Sequence, residues 1–146
     1  MAFIYAMSDI HGYSKPLNEV LSVVDLSADD DNKLIFCGDY IDYGNDSCNV
    51  IYKIKELTET YHNKVFAIMG NHEYMFLEFL NANDKDVWNI EWLEADRDFT
   101  TVNTFISEIT KEKIKLLKKE LIYHDYLFSI AKLIKKDIMD NHIQLV

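Results

Sequence analysis

Apolar and polar positions along the first half of the chain repeat one pattern three times. A short apolar run ends in a cluster of Gly, Asp, Asn or His, and a segment with helical spacing follows. The runs are Phe3-Ile4-Tyr5-Ala6-Met7, Lys33-Leu34-Ile35-Phe36-Cys37 and Lys64-Val65-Phe66-Ala67-Ile68-Met69. Continuous apolar runs without alternation predict strands buried on both faces, as in a parallel sheet covered by helices. The first helix is predicted to be capped by Ser14, with Pro16 in its first turn and Leu17, Val20, Leu21 and Val24 on one face. The second is predicted to begin near Asp46 or Ser47 and to bury Val50, Ile51, Ile54 and Leu57. Each repeat is about 30 residues, the size of a βα crossover unit, so the expected class is α/β.

From Glu73 onward the spacing is helical and no strand is expected. Met75, Phe76, Phe79 and Leu80 continue a helix out of the third cluster, and an aromatic stretch runs through Trp88, Trp92, Phe99 and Phe105. Thr110 opens a lysine-rich amphipathic segment with Ile114, Leu117, Leu121, Leu127, Ile130, Leu133 and Ile134 for one face. Its lysines, Lys111 to Lys119 and Lys132 to Lys136, read as a solvated face. The organisation expected is a single, partial domain over 1–146, with a βαβαβα core at 1–81 and a helical segment at 82–146. The end at Gln144-Leu145-Val146 carries no Gly or Pro stop signal and reads as a cut.

Composition narrows the function classes. A net charge of −10 argues against a general nucleic-acid or anionic-membrane binder, both of which need a basic surface. No segment approaches the roughly 18 apolar residues of a membrane span, and the N-terminus lacks the basic start of a signal peptide. Cys37 and Cys48 are the two cysteines and form no CxxC pair, with Cys37 expected to be a small buried residue. This usage fits a reducing compartment, so the expected location is cytoplasmic.

The three clusters follow directly on the three runs. Beyond the carboxyl ends of parallel strands, residues distant in sequence converge on one crevice. Asp9, His11, Asp39, Asp42, Asn71 and His72 would collect there. Oxygen and imidazole donors without a thiolate favour manganese, iron or zinc. Carboxylates gathered in one crevice repel each other, and a divalent cation compensates them. All four glycines, Gly12, Gly38, Gly44 and Gly70, lie at these clusters, where close backbone approach is needed.

The clusters stand as Asp9-Ile10-His11-Gly12, Gly38-Asp39-Tyr40-Ile41-Asp42-Tyr43-Gly44 and Gly70-Asn71-His72-Glu73. In this order they resemble the motifs of the calcineurin-like metallophosphoesterases, and within them the branch that includes bacterial serine/threonine phosphatases. The resemblance covers about the first half of the chain. It implies the N-terminal half of that family's α/β sandwich and a metal-dependent phosphoric ester hydrolase. Asp9 and His11 would bind a first metal, Asp39 would bridge two, and Asn71 would serve the second. The ions, manganese foremost and iron or zinc otherwise, would activate water for attack on phosphorus. His72 would be the general acid, oriented by Asp42. Substrates implied are phosphorylated proteins or small phosphoesters, dinucleoside polyphosphates among them.

Two departures from the family pattern qualify that expectation. The pattern carries an arginine where Tyr43 stands, and the one arginine of the chain is Arg97. Tyr43 could give the phosphate, beside Asn71, one hydrogen bond but no positive charge. The pattern also draws two more histidines from later strands, whereas only His124 and His142 follow the third cluster, both in helical or loop-like surroundings. His62 reads as a surface or cap residue. The second metal site is therefore expected to be incomplete. A contrasting expectation is a non-catalytic remnant that binds one metal or a partner, self-associating through an incompletely covered sheet.

Overall fold

In a computed structural model, which describes residues 1–96 and 99–142, strands and helices alternate as the repeats predict. The first half contains β1 (Ile4–Met7), α1 (Ser14–Leu21), β2 (Lys33–Phe36), α2 (Ser47–Thr60), β3 (Val65–Ala67) and α3 (Asn71–Asn81). Then come α4 (Val87–Ala95), α5 (Thr100–Phe105), α6 (Glu108–Glu120) and α7 (Tyr123–His142). The three strands form one parallel sheet in the order β1-β2-β3. The fold class is α/β, as the repeats predict. The chain divides into two compact units, Met1–Tyr74 and Met75–Val146. Among the described residues no helix is long and apolar enough to cross a membrane.

The expectation of strands buried on both faces does not hold. Register pairs Tyr5 with Leu34, Met7 with Phe36 and Leu34 with Val65, which places these side chains on one face. Leu34, Phe36 and Val65 are buried there. On the other face Ile4 is 71% and Phe66 46% exposed. Crossover handedness explains the asymmetry. Parallel crossovers are right-handed, so two successive ones that step the same way across a sheet put both helices on one side. Accordingly α2 packs on β3 and on α1, and the opposite face is left bare. Cys37, one step past Phe36 and pointing the other way, is exposed rather than buried.

Local signals fared unevenly in this unit. Ser14 is the first helical residue, not the cap: Tyr13 holds the cap position without a side-chain bond. Leu17 is buried, whereas Val20 is exposed and Val24 lies beyond the helix. In α2, with Asp46 at the cap position but no side-chain bond from it, Val50 and Ile54 reach the core, while Ile51 and Leu57 are half-buried. The fully buried Asn32 accepts from the Phe3 N–H at 2.8 Å and donates to the Asp25 carbonyl at 2.7 Å, joining β1 to the approach to β2.

The unit Met75–Val146 is built on side chains. Phe79 stacks on Trp92 with ring centroids 4.4 Å apart, and Phe76 lies 5.2 Å from Trp92 and 5.3 Å from Phe105. Helix α7 adds a stripe of Leu127, Ile130, Ala131, Ile134 and Ile138. The lysine-rich segment is two helices, not one. Apolar positions 114, 117 and 121 call for another near 124 or 125, but His124 and Asp125 stand there and the pattern restarts at Tyr126. The chain turns extended at Leu121, which is exposed. Ser107 caps α6, and Asp137 of α7 accepts from both the Ser107 N–H and its hydroxyl at 2.8 Å. Lys111, Lys115 and Lys136 form solvated pairs with Glu108, Glu112 and Asp140. Lys135 departs from the solvated face: it is buried, lies 5.4 Å over the Phe79 ring and donates to the Ala82 carbonyl at 2.7 Å.

Candidate metal centre

Three loops leave the carboxyl ends of the strands, and the backbone binds the first two together. The N–H groups of His11 and Gly12 donate to the carbonyls of Asp39 and Tyr40 at 3.0 and 2.7 Å, and Gly44 N–H returns to the His11 carbonyl at 2.8 Å. Such pairing bends the chain sharply. Asp9, His11, Asp39, Asp42 and Tyr43 all adopt positive φ, from 47° to 73°, each at a cost on the order of 1 kcal/mol or more for a residue with a Cβ. Strain of this kind persists only where surrounding structure holds it, and it collects at functional sites. Glycine is required where the loops touch. A Cβ on Gly38, at φ +98°, would sit 2.6 Å from Gly70 Cα, and one on Gly12, at φ +69°, 2.8 Å from the Gly44 carbonyl oxygen.

Glu73 fastens the second loop to the third. Its Oε1 accepts from the N–H groups of Tyr40 and Ile41 at 2.7 and 3.2 Å, and its Oε2 from Asp39 and Gly70 at 2.9 and 3.0 Å. The residue is buried, so four backbone donors that would otherwise lack partners meet one carboxylate. Tyr40 adds a second fastening. Its hydroxyl donates toward the Phe36 or Ile68 carbonyl, 3.0 and 2.5 Å away, and accepts from the Gly38 N–H at 3.1 Å. Burial pushes its ionisation up to about 12, so it stays a donor. Neither role was assigned from sequence. The signal for Glu73 was there: three residues after Gly70 it returns a bond to the Gly70 N–H, the acidic half of a capping box.

These fastenings bring the predicted donors together. Asp9, His11 and Asp39 each offer one ligand atom, all within 4.8 Å of one another. The Ile41 carbonyl lies 2.8 Å from His11 Nδ1, which sets that nitrogen as the donor and leaves Nε2 for a metal. The exposed Asp9 accepts from the Ser8 hydroxyl at 2.5 Å. Next to this group His72 Nδ1 lies 2.6 Å from Asp42 Oδ2, and the His72 and His11 rings are 4.8 Å apart. The His72 N–H points to Asp39 Oδ1 at 3.5 Å. Asn71, just before it, is the exposed first residue of α3. The Tyr43 ring sits against both histidines, 4.8 Å from His11 and 5.7 Å from His72.

The other three histidines have surroundings of their own. His62 is exposed after α2, and His124 is exposed against the Tyr123 ring. His142 Nε2 lies 2.9 Å from the Phe105 carbonyl. Arg97 lies outside the described residues.

Residues 4–143 match one protein family, calcineurin-like phosphoesterase. The chain belongs to that family. As a calcineurin-like phosphoesterase it is similar to proteins named bis(5'-nucleosyl)-tetraphosphatase, symmetrical, from Bordetella pertussis, Bordetella parapertussis and Bordetella bronchiseptica. Each is 30% identical over 74 residues, which is 51% of this chain and 25% of the relative. The calcineurin-like phosphoesterase chain thus spans about a quarter of the length of these relatives.

Proposed function

We propose that this chain is the metal-binding part of a metal-dependent phosphoric ester hydrolase, of the serine/threonine phosphatase-like branch. One observation carries the reading: the Asp9, His11 and Asp39 donors converge beside a His72–Asp42 pair. The donor set fits a hard or borderline divalent ion, with two carboxylates, one imidazole of settled tautomer and no thiolate. In this reading Asp9, His11 and Asp39 hold one ion, and Asp39 with Asn71 begins a second site. Bound ions supply positive charge to the phosphoryl oxygens and lower the pKa of water. Manganese is the first choice.

The remaining steps belong to the chain's own groups. Asp42 accepts from His72 Nδ1–H, which fixes the ring and leaves Nε2 to pass a proton to the leaving oxygen. Tyr43 and Asn71 donate hydrogen bonds to the phosphate where the family pattern has a cationic fork, so the phosphate is held with less charge. A cytoplasmic location, supported by the two free cysteines, belongs to the same proposal.

Manganese-dependent turnover of p-nitrophenyl phosphate and of a phosphoserine peptide tests the reading, alongside metal analysis. Asp39→Asn is expected to lose both metal and turnover. His72→Ala should keep the metal and lose about 10²- to 10⁴-fold in kcat. Turnover that survives Asp39→Asn would sink the proposal.

Two observations favour neighbouring readings. The names of the Bordetella relatives support a dinucleoside polyphosphate as substrate, which hydrolysis of diadenosine tetraphosphate in preference to the phosphopeptide would establish. The exposed sheet face with Ile4 and Phe66, continued by Ile68, supports self-association. A monomer by sedimentation at high concentration would remove that second reading.

A further inference from the structure

Where the family pattern has an arginine, this chain places an aromatic ring, and its setting is unusual for a tyrosine. Tyr43 adopts φ +67° directly after Asp42 at +73°, a conformation that tyrosine seldom takes. Two successive left-handed residues turn the ring onto the centre. It meets the His11 ring edge-on at 68° and the His72 ring at 64°. Even so, Tyr43 is 67% exposed. A tyrosine placed for stability hides its ring. This one touches the imidazole of the donor group and the imidazole of the proton donor, and leaves the rest of its surface to water.

That surface cannot replace the missing cation. The same loop carries Asp42 and Asp46, so it offers no positive charge to a second phosphate or an acidic peptide. A ring beside the reacting centre offers something different, a π-face that a planar group can cover, at a gain that depends on shape and not on charge. We propose that Tyr43 is a specificity-determining residue that receives a planar aromatic portion of the leaving group. The site would then favour phosphoric esters whose leaving group carries a ring, aryl or nucleoside, over esters of small aliphatic alcohols such as serine. This inference rests on the phosphoester reading above. It assigns the work to the ring, whereas the phosphate bond proposed there belongs to the hydroxyl.

Two phosphonates that cannot be hydrolysed separate the possibilities: phenylphosphonate and methylphosphonate, bound to the manganese-loaded protein and followed by calorimetry. The wild type should bind the phenyl compound roughly 3- to 10-fold more tightly. Tyr43→Phe, which keeps the ring, should retain that ratio. Tyr43→Ala should bring it close to one, and methylphosphonate should weaken alike in Tyr43→Phe and Tyr43→Ala, since both lack the hydroxyl. A general disturbance of the centre would weaken both ligands together and leave the ratio alone. Equal binding of the two by the wild type, a preference that survives Tyr43→Ala, or no binding of either overturns the inference. A Tyr43-dependent preference in a protein that hydrolyses no ester would instead count against the catalytic reading and leave this one standing.

Discussion

Five of the six described non-glycine residues with positive φ lie in the loops around the donor group, and Phe99 is the one in the unit Met75–Val146. The two regions reach order by opposite means. Around the donors the backbone is strained, the carboxylates are gathered, and the fastening is by backbone N–H groups onto Glu73 and Tyr40. In the helical unit the backbone is regular and order comes from apolar side chains, with Phe79, Leu93, Leu127, Ile130 and Ile134 almost wholly buried. The difference teaches that a functional centre can hold strain because one buried carboxylate satisfies several donors at once. A helical core spreads the same task over many weak contacts.

The strongest way to break this comparison is to remove the fastening. Glu73→Ala leaves four backbone N–H groups without their acceptor. The expected loss is about 4 kcal/mol in urea unfolding, with manganese binding abolished. Manganese binding at wild-type affinity in Glu73→Ala would show that the loops hold their shape without it.

Next in size is a cavity in the other region. Ile134 is fully buried in α7, and Ile134→Ala should cost about 3 kcal/mol. Here the expectation for metal is reversed: affinity for manganese should stay unchanged at temperatures where the protein is folded. A parallel fall in affinity would erase the distinction drawn between the regions.

The smallest effect sharpens the comparison through pH. Burial pushes the Asp137 carboxyl up, but the Ser107 N–H and hydroxyl, with Thr110 and Asn141, more than offset this and hold it below the ordinary carboxylate value. A carboxyl depressed in the folded state binds its proton more readily when unfolded. Its contribution is therefore complete above about pH 4 and is lost as pH falls through the lower folded value. Stability followed by far-UV circular dichroism should fall on that acid limb, and Asp137→Asn should flatten it. An unchanged limb in the variant would place the acid sensitivity elsewhere.

Much of this was legible along the chain. The three runs marked β1, β2 and β3, and the Gly, Asp and His clusters marked the loops, because parallel strands send their carboxyl ends to one side. Asp9, His11 and Asp39 were named from their residue types and positions and do come within ligand reach of each other. The break between α6 and α7 was legible too, in the polar pair His124-Asp125 where the stripe needed an apolar residue, though the long lysine-rich run masked it. The burial of Cys37 and Lys135 was misjudged because burial depends on what lies opposite, which neighbours in sequence do not reveal.

By itself the sequence determined the local matters: which segments extend or coil, which side chains can ligate a hard or borderline cation, and where glycine permits two loops to touch. Those follow from residue chemistry and periodicity within about ten positions. Tertiary structure alone decided the rest. Crossover handedness chose which face of the sheet is bare. Contacts across more than 30 residues made Glu73 the acceptor for a distant loop. Two left-handed residues in succession turned Tyr43 from a missing arginine into a ring beside His11 and His72. Each of these depends on chain direction in space, and that direction is settled only once the sheet is formed.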